Sequence, residues 1–237
     1  SLLPLGWSAP LVSPLLVLFA GASPCPHTRH DVHSPFVFTL VDQVLRKRTP
    51  RSEFTDIEKL RSKLLSDRRM ITVTDLGAGS RRGNTQKRQI GEIARTSLKP
   101  RRQSEMLARL VRYFNPRTVL ELGTSLGTTS LYLSRSAGNG RVHTIEGCPA
   151  IAAIAQENFS NYHAENITSH VGPFAGQLPN VLSIMERLDF AFIDGHHAAE
   201  PTLDYFFLLY TSDAADERSS VIPGGRRLLK QNTTSRR

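Results

Sequence analysis

Short apolar runs alternate with longer amphipathic segments through the second half of the chain. Thr118–Leu122 (TVLEL) reads as a short buried strand, and Val142–Ile145, Ile167–Val171 and Leu188–Ile193 (LDFAFI) read as three further strands. Between them Leu126–Ser136, Pro149–Tyr162 and Gly176–Arg187 carry helical spacing, and Pro201–Phe207 opens a further helix. Strands alternating with helices of about a dozen residues predict βαβ units and a mostly parallel α/β sheet with helices on both faces.

The first half is patterned differently. Asp31–Arg48 starts on a Ser34-Pro35 helix signal and carries apolar Phe36, Phe38, Leu40, Val41, Val44 and Leu45. Its basic end, Arg46-Lys47-Arg48, suits the helix dipole and requires no ligand. Further helices are expected over Asp56–Asp67 and Ser104–Phe114. Residues 29–117 therefore form a helical lead-in or lid, and residues 118–207 the sheet-bearing core. Residues 1–28 read as a leader outside the domain: Leu11–Ala20 is apolar, but it has no basic flank and Pro4, Pro10 and Pro14 interrupt it. From Leu208 the sequence LLYTSDAADE resembles a translated sequencing adapter, and nothing after Val221 has periodicity, so residues 208–237 read as a non-native tail. On that reading the last strands of the sheet are missing, an edge is exposed, and stability is poor.

Composition narrows the function classes. Apolar residues make up 39% and charged residues 22% of the 237, which excludes wholesale disorder and a membrane bundle. Two cysteines, Cys25 and Cys148, give neither a disulfide framework nor a zinc ribbon. The net charge of +9 is unevenly placed: residues 29–118 hold 21 Lys/Arg against 9 Asp/Glu, and residues 119–206 hold 3 against 9. This polarity between segments is weak support for a polyanion partner.

Three strand ends carry chemistry. In Glu121-Leu122-Gly123-Thr124-Ser125-Leu126-Gly127-Thr128, Gly123 permits a sharp turn close to a ligand, and Gly127 opens a helix whose free N–H groups face the site. Glu146, 23 residues after Gly123, ends the next strand, where a carboxylate can accept hydrogen bonds from a ribose. Asp194 ends the apolar strand LDFAFI and is followed by His196 and His197. A carboxylate there suits a divalent cation or substrate orientation, and one histidine suits a general base. Two other motifs carry less. Asp75-Leu76-Gly77-Ala78-Gly79-Ser80 looks like a cofactor loop but leads into Arg81-Arg82-Gly83-Asn84 rather than an apolar helix, so it reads as a connecting turn or lid beside the site. His27, His30 and His33 stand three apart between Pro26 and Pro35, on a segment not expected to be one continuous helix.

ELGTSLGTTS with TIEG, VGPFAGQLP and FAFIDGHH resembles a class I S-adenosylmethionine-dependent methyltransferase with a Rossmann-like core. The likeness covers about residues 102–206 and is nearest to the small catechol and caffeoyl-CoA O-methyltransferases; the lead-in HDVHSPFVF is similar to an uncharacterised bacterial branch. It implies that Glu121 and Gly123 shape the methionine end of the cofactor site, with Thr124, Ser125, Gly127 and Thr128 also among the cofactor-binding residues. Glu146 would then bind the ribose, and Gly172, Pro173 and Phe174 would lie near the adenine. It also implies that Asp194 matches a metal-binding aspartate that also lines the cofactor site. His197 stands where those enzymes carry a catalytic lysine. The family's remaining metal ligands, an Asp-Asn pair, would fall beyond residue 207, so magnesium has no further support in this chain.

The function expected is transfer of a methyl group to a hydroxyl of a small molecule, with S-adenosylmethionine as donor and Asp194 and His197 at the reacting end. The setting expected is cytoplasmic, without membrane or nucleic-acid partners, in a homodimer. A basic nucleic-acid-binding module or RNA methyltransferase is the alternative, and the GxxxG spacing counts against a dinucleotide oxidoreductase.

Overall fold

A computed structural model describes residues 16–19, 35–75 and 84–194. Five parallel strands form the main sheet: β1 (Leu16–Phe19), β4 (Thr118–Leu122), β5 (Arg141–Glu146), β6 (Ile167–Val171) and β7 (Phe190–Ile193). Their order across the sheet is β1-β7-β4-β5-β6. The crossover helices are α5 (Thr128–Ser136), α6 (Pro149–Asn161) and α7 (Phe174–Ser183). The expected Rossmann-like α/β core is present. Leu16–Phe19, inside the segment set apart as a leader, runs parallel to β7 with Leu16 opposite Phe190. That pairing occupies the β7 edge, which a truncated sheet was expected to leave open.

The period of two along β4 decides what each residue meets. Val119 packs with Val111, Leu133, Val142 and Phe190 against α4 (Arg101–Phe114) and α5. Leu120 and Leu122 face the other way, onto Leu178 and Val181 of α7. Glu121 therefore points to the α5 face, although it is a carboxylate in a fully buried strand. α7 begins two residues earlier than its Gly176 start in the sequence reading, because Pro173 serves as its N-cap. α4 ends on Asn115 in the left-handed region (φ 46°), a conformation asparagine tolerates.

The lead-in is joined to this core. α1 (Pro35–Leu40) runs into a π-helical turn, Val41–Leu45, and α2 (Thr55–Leu65) follows. Phe54, Ile57, Leu60 and Leu64 bury into one cluster with Leu131 and Tyr132 of α5 and Phe159 of α6. Three elements are absent from the sequence reading. β2 (Met70–Asp75) and β3 (Asn84–Gln89) form a separate antiparallel pair, and α3 (Ile90–Ser97) follows β3. Among the described residues no helix is long and apolar enough to cross a membrane.

Candidate functional site

The carboxyl ends of β4, β5, β6 and β7 are stitched together by backbone hydrogen bonds. Gly123 N and Thr124 N donate to the Ile145 carbonyl at 3.0 and 3.3 Å, and Asp194 N donates to the Leu122 carbonyl at 2.8 Å. Gly172 N donates to the Glu146 carbonyl at 2.9 Å. The residues that the sequence singled out on four separate strands thus share one rim, where ligands of such sheets bind.

Glu146 lies across the first loop. Its Oε2 accepts from Ser125 N at 2.8 Å and its Oε1 from Cys148 N at 3.0 Å. Burial pushes its pKa up, while the hydrogen bonds from Cys148, Ser125 and Gly147 oppose that shift. Each carboxylate oxygen has two acceptor directions, so capacity for sugar hydroxyls remains. Gly123 (φ 103°) and Ser125 (φ 49°) take left-handed conformations that turn the chain between strand and helix. Gly127 (φ 82°) is required for another reason than access to a ligand: a Cβ there would lie 2.6 Å from Phe159 Cε1 of α6.

Below the loop sits a buried polar chain. Ser130 and Thr144 both donate to Glu121 Oε2, the latter at 2.7 Å, and Thr144 and Thr124 share a 2.6 Å hydroxyl contact. Glu121 Oε1 and Thr128 Oγ1 are buried with no hydrogen-bond partner among the described residues. Burial raises the Glu121 pKa to about 8; the Ser130 and Thr144 bonds oppose this, and the charges of Asp194 and Glu146 add to it. An orphaned oxygen beside a glycine turn and a ribose-type acid fits the amino end of S-adenosylmethionine. Gly172 (φ 141°), Pro173 and Phe174 follow β6 directly beside Glu146, at the place expected for an adenine.

Asp194 does not stand alone. Lys99 Nζ lies 2.5 Å from its Oδ1, with both side chains mostly buried, and 6.0 Å from the centre of the Phe192 ring. A divalent cation fits poorly beside this pair, because Asp194 Oδ1 already holds an ammonium. Lys99 was not singled out from sequence, and neither was Ser97, whose hydroxyl lies 2.7 Å from that of Ser125. The signal available was Lys99-Pro100 at a helix start, since a residue before proline is held extended. His196, His197, the 27/30/33 histidines and the loop from Leu76 to Gly83 lie outside the described residues. Asp75 ends β2 of the separate two-stranded sheet, and Thr74 N donates to Cys148 Sγ at 3.4 Å.

Several solved structures are similar to this chain. A cofactor-bound protein from MTB is 29% identical over 48% of this chain and 52% of its own, with a TM-score of 0.45. An O-methyltransferase from Bacillus cereus in complex with SAH is 21% identical over 75% and 68%, with a TM-score of 0.49. The O-methyltransferase TomG from Streptomyces achromogenes, in complex with SAM, is 26% identical over 49% and 53%, with a TM-score of 0.42. The chain thus spans about half the length of the MTB and Streptomyces proteins. No curated protein matches it. The family described as "Methyltransferase domain" matches residues 120–216. This matched stretch contains Glu121, Gly123, Glu146 and Asp194.

Proposed function

We propose that the chain is a class I methyltransferase that transfers the methyl group of S-adenosylmethionine to an oxygen of a small hydroxylated molecule. The observation that carries this reading is the 2.8 Å bond from Ser125 N to Glu146 Oε2, which locks a ribose-type acid against the glycine turn. When bound, the donor supplies an electrophilic methyl group on a sulfonium: the acceptor oxygen takes the methyl, the carbon–sulfur electron pair stays on sulfur, and the hydroxyl proton passes to a base. Glu146 would hold the sugar hydroxyls, and Gly172, Pro173 and Phe174 the base. Gly123, Thr124, Ser125, Gly127 and Thr128 would shape the turn under the methionine end, with Glu121 Oε1 facing its amino group. Asp194 and His197 would stand at the acceptor, His197 taking the proton. Most of the acceleration then comes from alignment, with proton removal adding to it.

The acceptor is read as a small molecule rather than a nucleic acid, because the arginines of the lead-in turn to its own carboxylates. Arg61 pairs with Glu58, Arg69 with Asp67, Arg101 with Glu105 and Arg112 with Glu53. Cations spent on internal pairs release few counterions from a phosphate backbone. A cytoplasmic homodimer completes the reading, and sedimentation equilibrium tests the dimer. Calorimetric titration of the full chain with S-adenosylmethionine tests the function. Binding that falls at least about tenfold in Glu146→Ala supports it; no heat, or an unchanged affinity in that variant, overturns it.

A further inference from the structure

We propose that Lys99 is the cation of the acceptor side of this site. It takes the place that a divalent metal would hold at Asp194 and selects an acceptor with a single anionic oxygen. The inference rests on the reading of the rim as a methyl-transfer site and adds to it the charge that meets the acceptor.

Local structure places Lys99 firmly. Pro100 caps α4 in extended backbone, and a residue before proline is itself held away from the helix. The end of α3 and the linker to α4 touch the rim at two points: Ser97 Oγ lies 2.7 Å from Ser125 Oγ after β4, and Lys99 Nζ 2.5 Å from Asp194 Oδ1 after β7. Asp194 is fixed in turn by its N–H to the Leu122 carbonyl. The linker therefore spans the mouth, with the ammonium at its acceptor end.

Charge decides which cation Asp194 keeps. A magnesium-type ion demands near-octahedral oxygen ligation. At this carboxylate it would also stand within a few ångströms of an ammonium, in a partly buried setting where like charges repel strongly. The ammonium carries three N–H donors, and the Asp194 contact uses one. The others suit one anionic oxygen. With one positive charge rather than two, the ammonium does not favour the doubly anionic oxygens of a chelated diol, which a divalent ion would grip together. The expected acceptor class is an acidic monohydroxylated ring, bound as its oxyanion.

Two measurements on the full chain with S-adenosylhomocysteine present test this. In the first, free Mn2+ is read by electron paramagnetic resonance during titration. Wild type and Asp194→Asn are expected to retain equally little, within about twofold. Retention by wild type that Asp194→Asn abolishes overturns the assignment of the cation. In the second, 4-nitrophenolate binding is followed by equilibrium dialysis in EDTA. It is expected in wild type, weakened about tenfold or more by Lys99→Met and restored to within about threefold by Lys99→Arg. No binding by wild type, or indifference to Lys99→Met in a variant with an unchanged circular dichroism melt, overturns the assignment of the acceptor. Failure of S-adenosylhomocysteine itself to bind counts against the methyl-transfer reading, whereas the Mn2+ comparison can still be made without it.

Discussion

Glu121 carries a carboxyl group into the interior because β4 alternates, and position 121 falls on the face that packs against α5. Ser130 and Thr144 answer one oxygen and leave the other unpaired, so burial dominates and its pKa rises from 4.5 to about 8. A folded-state pKa above the unfolded one stabilises fully below the unfolded value and is lost as pH rises through the folded one. The window here runs from about 4.5 to about 8. Thermal unfolding of the wild type is thus expected to weaken between pH 5 and pH 8, while Glu121→Gln, which removes the titration, flattens that slope. The variant's gain at pH 8 is on the order of 2 kcal/mol, since a tenfold change in proton affinity is worth about 1.4 kcal/mol and relaxation around the charge returns part of the total. Gly127 gives a second test at this scale. Its φ of 82° and the 2.6 Å approach of a Cβ to Phe159 predict that Gly127→Ala costs about 1–3 kcal/mol in urea unfolding. A neutral outcome would mean that α6 gives way.

The edge pair β5 and β6 carries a titration of opposite sign. His143 Nδ1 and His170 Nε2 lie 3.2 Å apart with their rings stacked at 5.5 Å. Burial lowers both pKa values, and for His143 the neighbouring His170 and Arg141 lower it further. Lowered histidines stabilise above 6.5 and lose that contribution as pH falls through their folded values. The Glu121 and histidine contributions oppose each other between pH 5 and pH 7. In Glu121→Gln, which lacks the first, the thermal midpoint should therefore drop by a few degrees between pH 7 and pH 5, and adding His170→Gln should blunt that drop. Elements such as these also show what was legible in the sequence. β4 was readable to the residue because a strand buried in a parallel sheet is a short apolar run closed by turn residues. The half-exposed edge strand β6 was bounded by Asn166 and Gly172-Pro173. β3 (NTQKRQ) was not, because it has no apolar alternation and is held by pairing with β2. α3 was legible but unread: Gln89 and Glu92 form a capping box, and Ile90, Ile93 and Ala94 line one face. The rim showed the same limit. Glu146 and Asp194 follow from strand ends, whereas Lys99 reaches Asp194 only through the fold, 95 positions away in sequence.

At the scale of the molecule, the boundary drawn near residue 117 separates segments of unlike composition, yet the packing crosses it. Phe54 is fully buried, its ring centre is 4.2 Å from that of Tyr132, and Arg112 and Arg135 lie over it. Tyr132 Oη donates to Glu58 at 2.8 Å, Tyr162 Oη donates to the Asp56 carbonyl at 3.0 Å, and Arg135 grips the Asp56 carboxylate. Asp189 ties the starts of β4 and β7 by accepting from Arg117 N and Thr118 N. A lead-in seated on α5 and α6 in this way shares the core of the sheet, and it delivers Lys99 and Ser97 to the rim. Phe54→Ala should therefore cost about 3–5 kcal/mol, as large aromatic truncations in packed cores do. The loss should appear in one transition, with far-ultraviolet circular dichroism and tyrosine fluorescence coinciding. The same variant should weaken S-adenosylhomocysteine binding, although Phe54 lies outside the rim, because the helix that begins at Gly127 rests on the cluster that Phe54 fills. Two separated transitions, with the cofactor affinity unmoved, would show instead that the lead-in is a body of its own and that the rim is held by the sheet alone.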